Sequence, residues 1–147
     1  MVKNLLKKIL VPTDGSKYAE KSLNHALVIA NASGAEIIAL SVIENGFSLS
    51  LPANESLNDI NDLLHDETKQ NLKNVDRIKE ESGLDANISY KIEEGSPAKA
   101  ILKVADEEDI DLIVIASSGK TGFDKIIMGS VADKVVNNAK CSVLLIR

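Results

Sequence analysis

The sequence contains few aromatic residues and almost no cysteine. Of its 147 residues none is Trp, and Phe and Tyr occur only twice each, so we expect a core of aliphatic side chains. The single cysteine, Cys141, excludes an internal disulfide and is typical of proteins kept in a reducing compartment. These shortages predict a cytoplasmic protein whose stability comes from aliphatic packing.

Charge and hydropathy argue against two classes of partner. A net charge of −5 disfavours a surface for nucleic acid or for an anionic membrane. No apolar run approaches the roughly 20 residues of a membrane-spanning helix, and no signal-peptide pattern precedes Lys7-Lys8. Hydrophobic residues at 44% and charged residues at 27% are ordinary for a globular protein. We therefore predict one domain over residues 1–147, with neither nucleic acid nor membrane as a partner.

Apolar runs alternate along the chain with stretches of helical periodicity. The predicted strands are Lys8–Pro12, Glu36–Ile43, Asn87–Ile92, Leu112–Ile115 and Ser142–Ile146. Between them we predict four helices, over Lys17–Ala32, over Asn58–Ser82, from Ser96-Pro97 and from Ser130. This alternation predicts an α/β fold, a three-layer sandwich around a five-stranded parallel sheet with right-handed crossovers. Composition does not give the order of the strands.

The segment after the predicted fourth strand carries the most informative pattern. Ala116–Gly122 follows a buried apolar run, and Gly129-Ser130 precedes a helical pattern. A glycine-bearing loop between a strand and a helix offers free backbone N–H groups and the positive end of a helix dipole, which bind phosphate. Ser130 and Asp133 also fit a capping box, with Ser130 as the N-cap. Phosphate binding at this loop and capping of the helix by Ser130 are compatible with each other.

The loop after the first strand, Pro12-Thr13-Asp14-Gly15-Ser16, has two interpretations. Ser16 is expected to cap the first helix, and Gly15 permits a tight turn. In this first interpretation the five residues serve only to form the turn and to cap the helix. Alternatively Asp14 accepts hydrogen bonds from ribose hydroxyls or helps to hold a divalent ion.

These two loops together resemble the universal stress protein family. The family pattern is Gly, two residues, Gly, nine residues, Gly, then Ser or Thr, and this chain has Ala116, Gly119, Gly129 and Ser130 at those places. The opening Ile9–Ser16 and the ending Cys141–Ile146 also resemble the family's first and last strands, so the resemblance covers the whole chain. It implies the strand order 3-2-1-4-5. In such a sheet ligands bind where the order reverses, beyond the carboxyl ends of the first and fourth strands.

The resemblance further implies an ATP site, with Mg²⁺ or Mn²⁺ accompanying the nucleotide. Adenine and ribose would lie near Asp14, Val42 and Ala116, with the Val42 main chain pairing with the adenine edge. The phosphates would contact Gly119, Gly129, Ser130 and Val131. The implied cofactor-binding residues are Pro12, Thr13, Asp14, Val42, Ala116, Gly119, Gly129, Ser130 and Val131. The implied function is a nucleotide-dependent switch or sensor in a stress response, with no catalytic residue identified and at most slow ATP hydrolysis.

The replacement of the first family glycine by Ala116 keeps a second function open. If that position needs only a close backbone approach, one methyl group is tolerated, whereas a positive φ would strain alanine. The alternative function is an interaction module of the same fold that binds no nucleotide. In both cases the uncovered strand Ser142–Ile146 predicts a homodimer through that edge, as the resemblance does. The segment Glu44–Glu55 is predicted as a long loop that folds over the crevice, contacts a partner or is a disordered insertion, and the protein clients stay open.

Overall fold

The computed structural model of the chain describes residues 5–44, 57–118 and 128–147, and it describes side chains from residue 66 onward in the second range. Most of the loop predicted over Glu44–Glu55 lies outside these residues. The strands are β1 (Lys8–Pro12), β2 (Glu36–Ile43), β3 (Ile88–Glu94), β4 (Leu112–Ala116) and β5 (Ser142–Ile146). The helices are α1 (Lys17–Ser33), α2 (Leu57–Ser82), α3 (Pro97–Glu107) and α4 (Ser130–Asn138). Within these ranges, no helix has the length and apolar character to cross a bilayer.

All five strands are parallel and lie in the order β3-β2-β1-β4-β5, as predicted. The central strand β1 is buried on both faces. Ile9 and Val11 pack into a cluster with α1 and α2, and Leu10 packs into a second cluster with α3 and α4. The buried hydrophobic residues described are Ile, Leu, Val and Ala only, which confirms an aliphatic core.

Residues at the amino ends of α1, α3 and α4 fit the start of a helix, and one prediction about them was wrong. The Ser16 hydroxyl accepts a hydrogen bond of 3.1 Å from the Ala19 N–H and caps α1, as predicted. Pro97 occupies the first turn of α3, also as predicted. The N-cap of α4 is Gly129 and not Ser130, because the Gly129 carbonyl accepts the bond of 2.9 Å from the Asp133 N–H. Ser130 is thus already a helical residue and leaves the capping to backbone groups.

Ion pairs join the carboxyl end of α3 to the strands beneath it. The Lys91 ammonium lies 3.1 Å from a Glu108 carboxylate oxygen, and Lys8 lies 3.9 Å from the other oxygen of the same group. Lys103 lies 3.4 Å from Glu93. The hydrogen bond to Glu108, together with the nearby carboxylates, raises the pKa of Lys91 despite partial burial. These cations offset the carboxylates that sit at the negative end of the helix dipole.

Candidate functional site

A cavity of about 530 Å³ lies at the carboxyl end of the sheet, where the strand order reverses between β1 and β4. This volume is typical of small-molecule sites. Eight of the nine predicted binding residues line the cavity: Pro12, Thr13, Asp14, Val42, Ala116, Gly129, Ser130 and Val131. The ninth, Gly119, lies outside the described residues. The fold therefore brings residues from β1, β2 and the β4–α4 connection to one place.

The loop after β1 is fixed by hydrogen bonds on both sides of Asp14. The Thr13 N–H donates to the Leu40 carbonyl over 2.8 Å, which ties the loop to β2. The carboxylate of Asp14 accepts a bond of 2.9 Å from the Ser16 N–H, the arrangement of an Asx turn. Gly15 completes the turn with a φ of 79°. Asp14 is consequently held half-buried at the cavity wall.

The backbone of Val42 faces the space beyond the end of β1. The peptide groups of successive residues along a strand point alternately to its two neighbours. In β2 the Ile43 carbonyl accepts from Gly95, next to β3, and the Leu40 carbonyl accepts from Thr13, next to β1. Val42 is two residues beyond Leu40, so its peptide groups also point to the β1 side. The last registered pair of β1 and β2 is Pro12 with Leu40, so Val42 has no registered partner in β1. Its N–H and C=O groups thus point toward the crevice, where a flat heterocycle can pair with them.

A backbone hydrogen bond joins the two ends of the connection between β4 and α4. The Gly129 N–H donates to the Ser117 carbonyl over 2.7 Å, and the Ser117 N–H donates to the Ile146 carbonyl over 2.8 Å. A Cβ atom on Gly129 would lie 3.1 Å from the Ser117 oxygen, so glycine permits this approach. The first N–H groups of α4 lack intrahelical acceptors and adjoin the cavity.

Ala116 sits at the end of β4 without backbone strain. It is registered with Ile146 in the sheet. Among the described residues other than glycine, only Asp109 has a positive φ. The question that the sequence left open is therefore answered, because this position does not require the left-handed conformation that glycine favours.

One wall of the cavity was missed by the sequence analysis. It consists of Glu67, Thr68 and Asn71 from α2, with Ser41 and Glu44 from the end of β2. A signal for it exists in the sequence. Thr68 and Asn71 continue, at spacings of three and four residues, the buried stripe that Val75 and Ile78 form further along α2. Polar residues on the buried stripe of a helix indicate a face that turns toward a cavity.

The charged side chains of the described lining are all acidic. They are Asp14, Glu44 and Glu67, and no Lys, Arg or His lies among the described lining residues. Across the part of the chain that the structure describes, no three His, Cys, Asp or Glu side chains are grouped so as to hold a metal ion.

Comparison with known proteins connects this geometry to one family. Residues 6–147 match the model of the universal stress protein family. Universal stress protein MJ0531 of Methanocaldococcus jannaschii is 40% identical over 144 residues, which cover 98% of this chain and 84% of that protein. The solved structure of MJ0577 from the same organism has a TM-score of 0.82 at 32% identity and covers 97% of this chain and 96% of its own.

Two more distant structures were solved with nucleotides. A universal stress protein from Archaeoglobus fulgidus in complex with dAMP has a TM-score of 0.67 at 24% identity, covering 97% of this chain and 98% of its own. A universal stress protein in complex with cAMP has a TM-score of 0.71 at 22% identity, covering 97% of each chain. At identities below 25%, these two structures show a shared fold and nothing further.

Proposed function

Because the chain belongs to the universal stress protein family, we propose that it binds ATP and acts as a nucleotide-dependent switch or sensor in a stress response. One observation carries this proposal. Residues that the sequence predicts from three separate segments line a single cavity at the place where open α/β sheets bind ligands. The dAMP and cAMP complexes of distant relatives support an adenine nucleotide in this fold.

We assign the two ends of the nucleotide from the backbone geometry. The adenine edge pairs with the outward N–H and C=O of Val42, and the ribose lies near Asp14. The phosphates lie at the amino end of α4, against Gly129, Ser130 and Val131, where free N–H groups and the helix dipole favour an anion. Gly119 belongs to the same proposed set. Mg²⁺ or Mn²⁺ would accompany the phosphates as their counter-ion.

Hydrolysis is proposed to be slow at most. Rapid phosphoryl transfer needs a positioned water and a group that offsets the charge developing on the phosphate. Asp14 is the acid of the β1 loop at this cavity, and one of its carboxylate oxygens is already engaged by the Ser16 N–H. We therefore propose that binding, and not turnover, is the functional event.

Val42 gives a direct test of the site. Replacing Val42 by proline removes an N–H that faces the crevice and leaves the hydrogen bonds between β2 and β3 in place. Calorimetric titration should show ATP affinity falling by roughly fivefold to tenfold, the loss of about one hydrogen bond. Val42→Ala, which keeps the N–H and shortens the side chain, is the matched control and should change affinity less.

The titration also separates the two candidate functions. ATP binding by the native protein that Val42→Pro weakens more than Val42→Ala supports the proposed site. Equal binding by the native protein and both variants would place the nucleotide elsewhere. If the folded native protein binds no nucleotide, the interaction module of the same fold becomes the better account.

A further inference from the structure

Ser41 is a polar residue within an apolar row of β2. Side chains at alternate positions of a strand share one face, and the residues before and after Ser41 on its face are Ala39 and Ile43. Ala39 packs with α1 and α2, so Ser41 faces the same side of the sheet. Its registered partner on β3 is Ile92. Ser41 is 2% exposed, yet these strand neighbours offer its hydroxyl no polar side chain.

The Ser41 hydroxyl makes no hydrogen bond with another described residue. Ser22, the other buried serine of the described chain, donates to the Tyr18 carbonyl over 3.2 Å. Every fully buried side-chain nitrogen or oxygen atom in the described ranges has a hydrogen-bond partner. Because the Ser41 oxygen lacks one and Ser41 lines the cavity, that oxygen opens onto the cavity. It is a hydrogen-bond donor and acceptor available to a ligand.

Ser41 lies on the side of the cavity where the base is proposed to bind. It directly precedes Val42, whose peptide groups point toward the crevice. The proposed phosphate site at the amino end of α4 follows β4, and β1 separates β4 from β2 in the sheet. Because neighbouring strands lie about 4.8 Å apart, β2 and β4 are about 10 Å from each other. The base, and not the phosphates, is therefore the part of the nucleotide next to Ser41.

We propose that the Ser41 hydroxyl forms a hydrogen bond with a polar group of the bound base, an inference that rests on the proposed function. The Val42 peptide presents one N–H and one C=O, a pair that more than one base can satisfy. The hydroxyl adds a further contact that the base must match. A base with an apolar group at that place leaves the buried hydroxyl unpaired and loses affinity. Ser41 is thus a specificity-determining residue of the site.

Thermal unfolding in the absence of ligand tests whether the hydroxyl is available. Ser41→Ala removes a buried polar group that the described residues leave unpaired, so Tm should stay the same or rise. A clear fall in Tm would show that the hydroxyl stabilises the fold itself, and it would overturn the inference. This measurement does not depend on nucleotide binding.

Calorimetry then identifies the contact by removing one polar group at a time from the ligand. Ser41→Ala should bind ATP roughly threefold to tenfold more weakly than the native protein, the loss of one hydrogen bond. AMP, 2′-deoxy-ATP and 3′-deoxy-ATP should show the same factor, because they keep the base. Among four ATP analogues that lack the 6-amino group, N1, N3 or N7, one should bind Ser41→Ala and the native protein equally. Ser22→Ala is the matched control, a buried serine outside the described lining, and should bind every ligand as the native protein does.

The ligand series separates the base from the other parts of the nucleotide. A loss in Ser41→Ala that disappears with either deoxy-ATP would place the hydroxyl at the ribose, and one that disappears with AMP would place it at the phosphates. Either result overturns the inference, as does a loss that persists with all four base analogues. Equal ATP binding by Ser41→Ala and the native protein overturns it as well, while nucleotide binding stands. If the folded native protein binds none of these ligands, the proposed function fails and this inference fails with it.

Discussion

The side-chain oxygen of Asn71 occupies the space beside Gly15 where any other residue would carry its Cβ atom. Gly15 also has a φ of 79°, in the left-handed region. Through this contact α2 packs directly on the loop that carries Asp14. Two independent requirements for glycine therefore coincide at one position of the cavity wall.

Gly15→Ala should destabilise the protein more than a comparable change elsewhere. The left-handed conformation alone costs alanine about 1–2 kcal/mol, and the collision with Asn71 adds to it. Gly83→Ala is the matched control, since Gly83 has a φ of 67° and nothing within 4 Å of its missing Cβ. Thermal unfolding should rank native above Gly83→Ala and Gly83→Ala above Gly15→Ala. The double variant Gly15→Ala with Asn71→Ala should be less destabilised than the sum of the single changes, and strict additivity would contradict the contact.

Gly129→Ala should weaken ATP binding with only a small loss of stability. The Gly129 φ of −59° suits alanine, but the new methyl group would lie 3.1 Å from the Ser117 carbonyl and crowd the proposed phosphate position. We expect affinity to fall several-fold, by about 1 kcal/mol of binding free energy, and further in Gly129→Val. Calorimetry with a parallel unfolding curve measures both effects. Unchanged ATP affinity in a folded Gly129→Val protein would remove the phosphates from this position.

Ala116→Gly should leave ATP affinity unchanged or raise it, since it restores the residue of the family pattern. Ala116 is an unstrained strand residue, so the change should lower the free energy of unfolding by roughly 0.4–1 kcal/mol through the unfolded state. Titration and denaturant unfolding would report the two effects separately. A clear loss of affinity in the folded variant would show that the methyl group of Ala116 itself contributes to binding.

The homodimer through β5 stays a prediction, and the sheet geometry suggests how to break it. The Ile146 carbonyl accepts from Ser117, so the alternate residues Val143 and Leu145 point their peptide groups to the open edge. Val143→Pro removes one outward N–H and keeps the ladder with β4, and it should shift a dimer to monomer in light scattering at micromolar concentration. Ile92→Pro on the opposite edge strand, β3, is the control and should leave the dimer intact. A monomeric native protein would contradict the prediction.

Lys91 should stabilise the protein up to high pH and then cease to do so. Its pKa is raised above the ordinary value of 10.5, so its contribution is complete below that value and is lost as the pH rises through the folded-state pKa. Lys91→Met should lower Tm at pH 8 by up to about 2–4 °C, the effect of about 1 kcal/mol in a protein of this size. The difference from the native protein should shrink at pH values above 10.5. Lys99→Met, on the exposed side of α3, should show no such pH-dependent difference, and a constant difference for Lys91→Met would rule out the ionic contribution.

The sequence predicted most of the fold because the two periodicities in it are clear. The stripe Ala19, Leu23 and Ala26 on α1 is buried as a 3.6-residue period requires, and the apolar run of β1 is shielded on both faces. Predicted bounds were least accurate at the edge strand β3, which begins at Ile88 and continues to Glu94 beyond the apolar run. There the pairing with β2 and not hydrophobicity sets the end of the strand.

Local patterns in the sequence predicted the parts of the candidate site that lie in single loops. Pro12–Ser16 and Gly129-Ser130 carry local patterns, and the fold places both at the cavity. Thr68 and Asn71 were missed because both are polar, and their place on the buried stripe of α2 points to a cavity only once the crossing of α2 over the sheet is known. The capping of α4 by Gly129 was also missed, because Ser130 offers the commoner cap and the contact between Gly129 and Ser117 joins residues that are twelve positions apart in the sequence.

Of all neighbouring strands in the sheet, β1 and β4 share the fewest registered residue pairs. Only Ile9 with Leu112 and Leu10 with Ile113 are registered there, whereas β2 and β3 share seven pairs. The cavity lies beyond the carboxyl ends of these two strands, with Thr13 on one side and Ser117 on the other. An occupant that touches both loops would therefore bridge the two halves of the sheet and suppress their local separation. Slowed hydrogen exchange at the amides of Leu10 and Ile113, which are fully buried and do not line the cavity, would then report occupancy from inside the core.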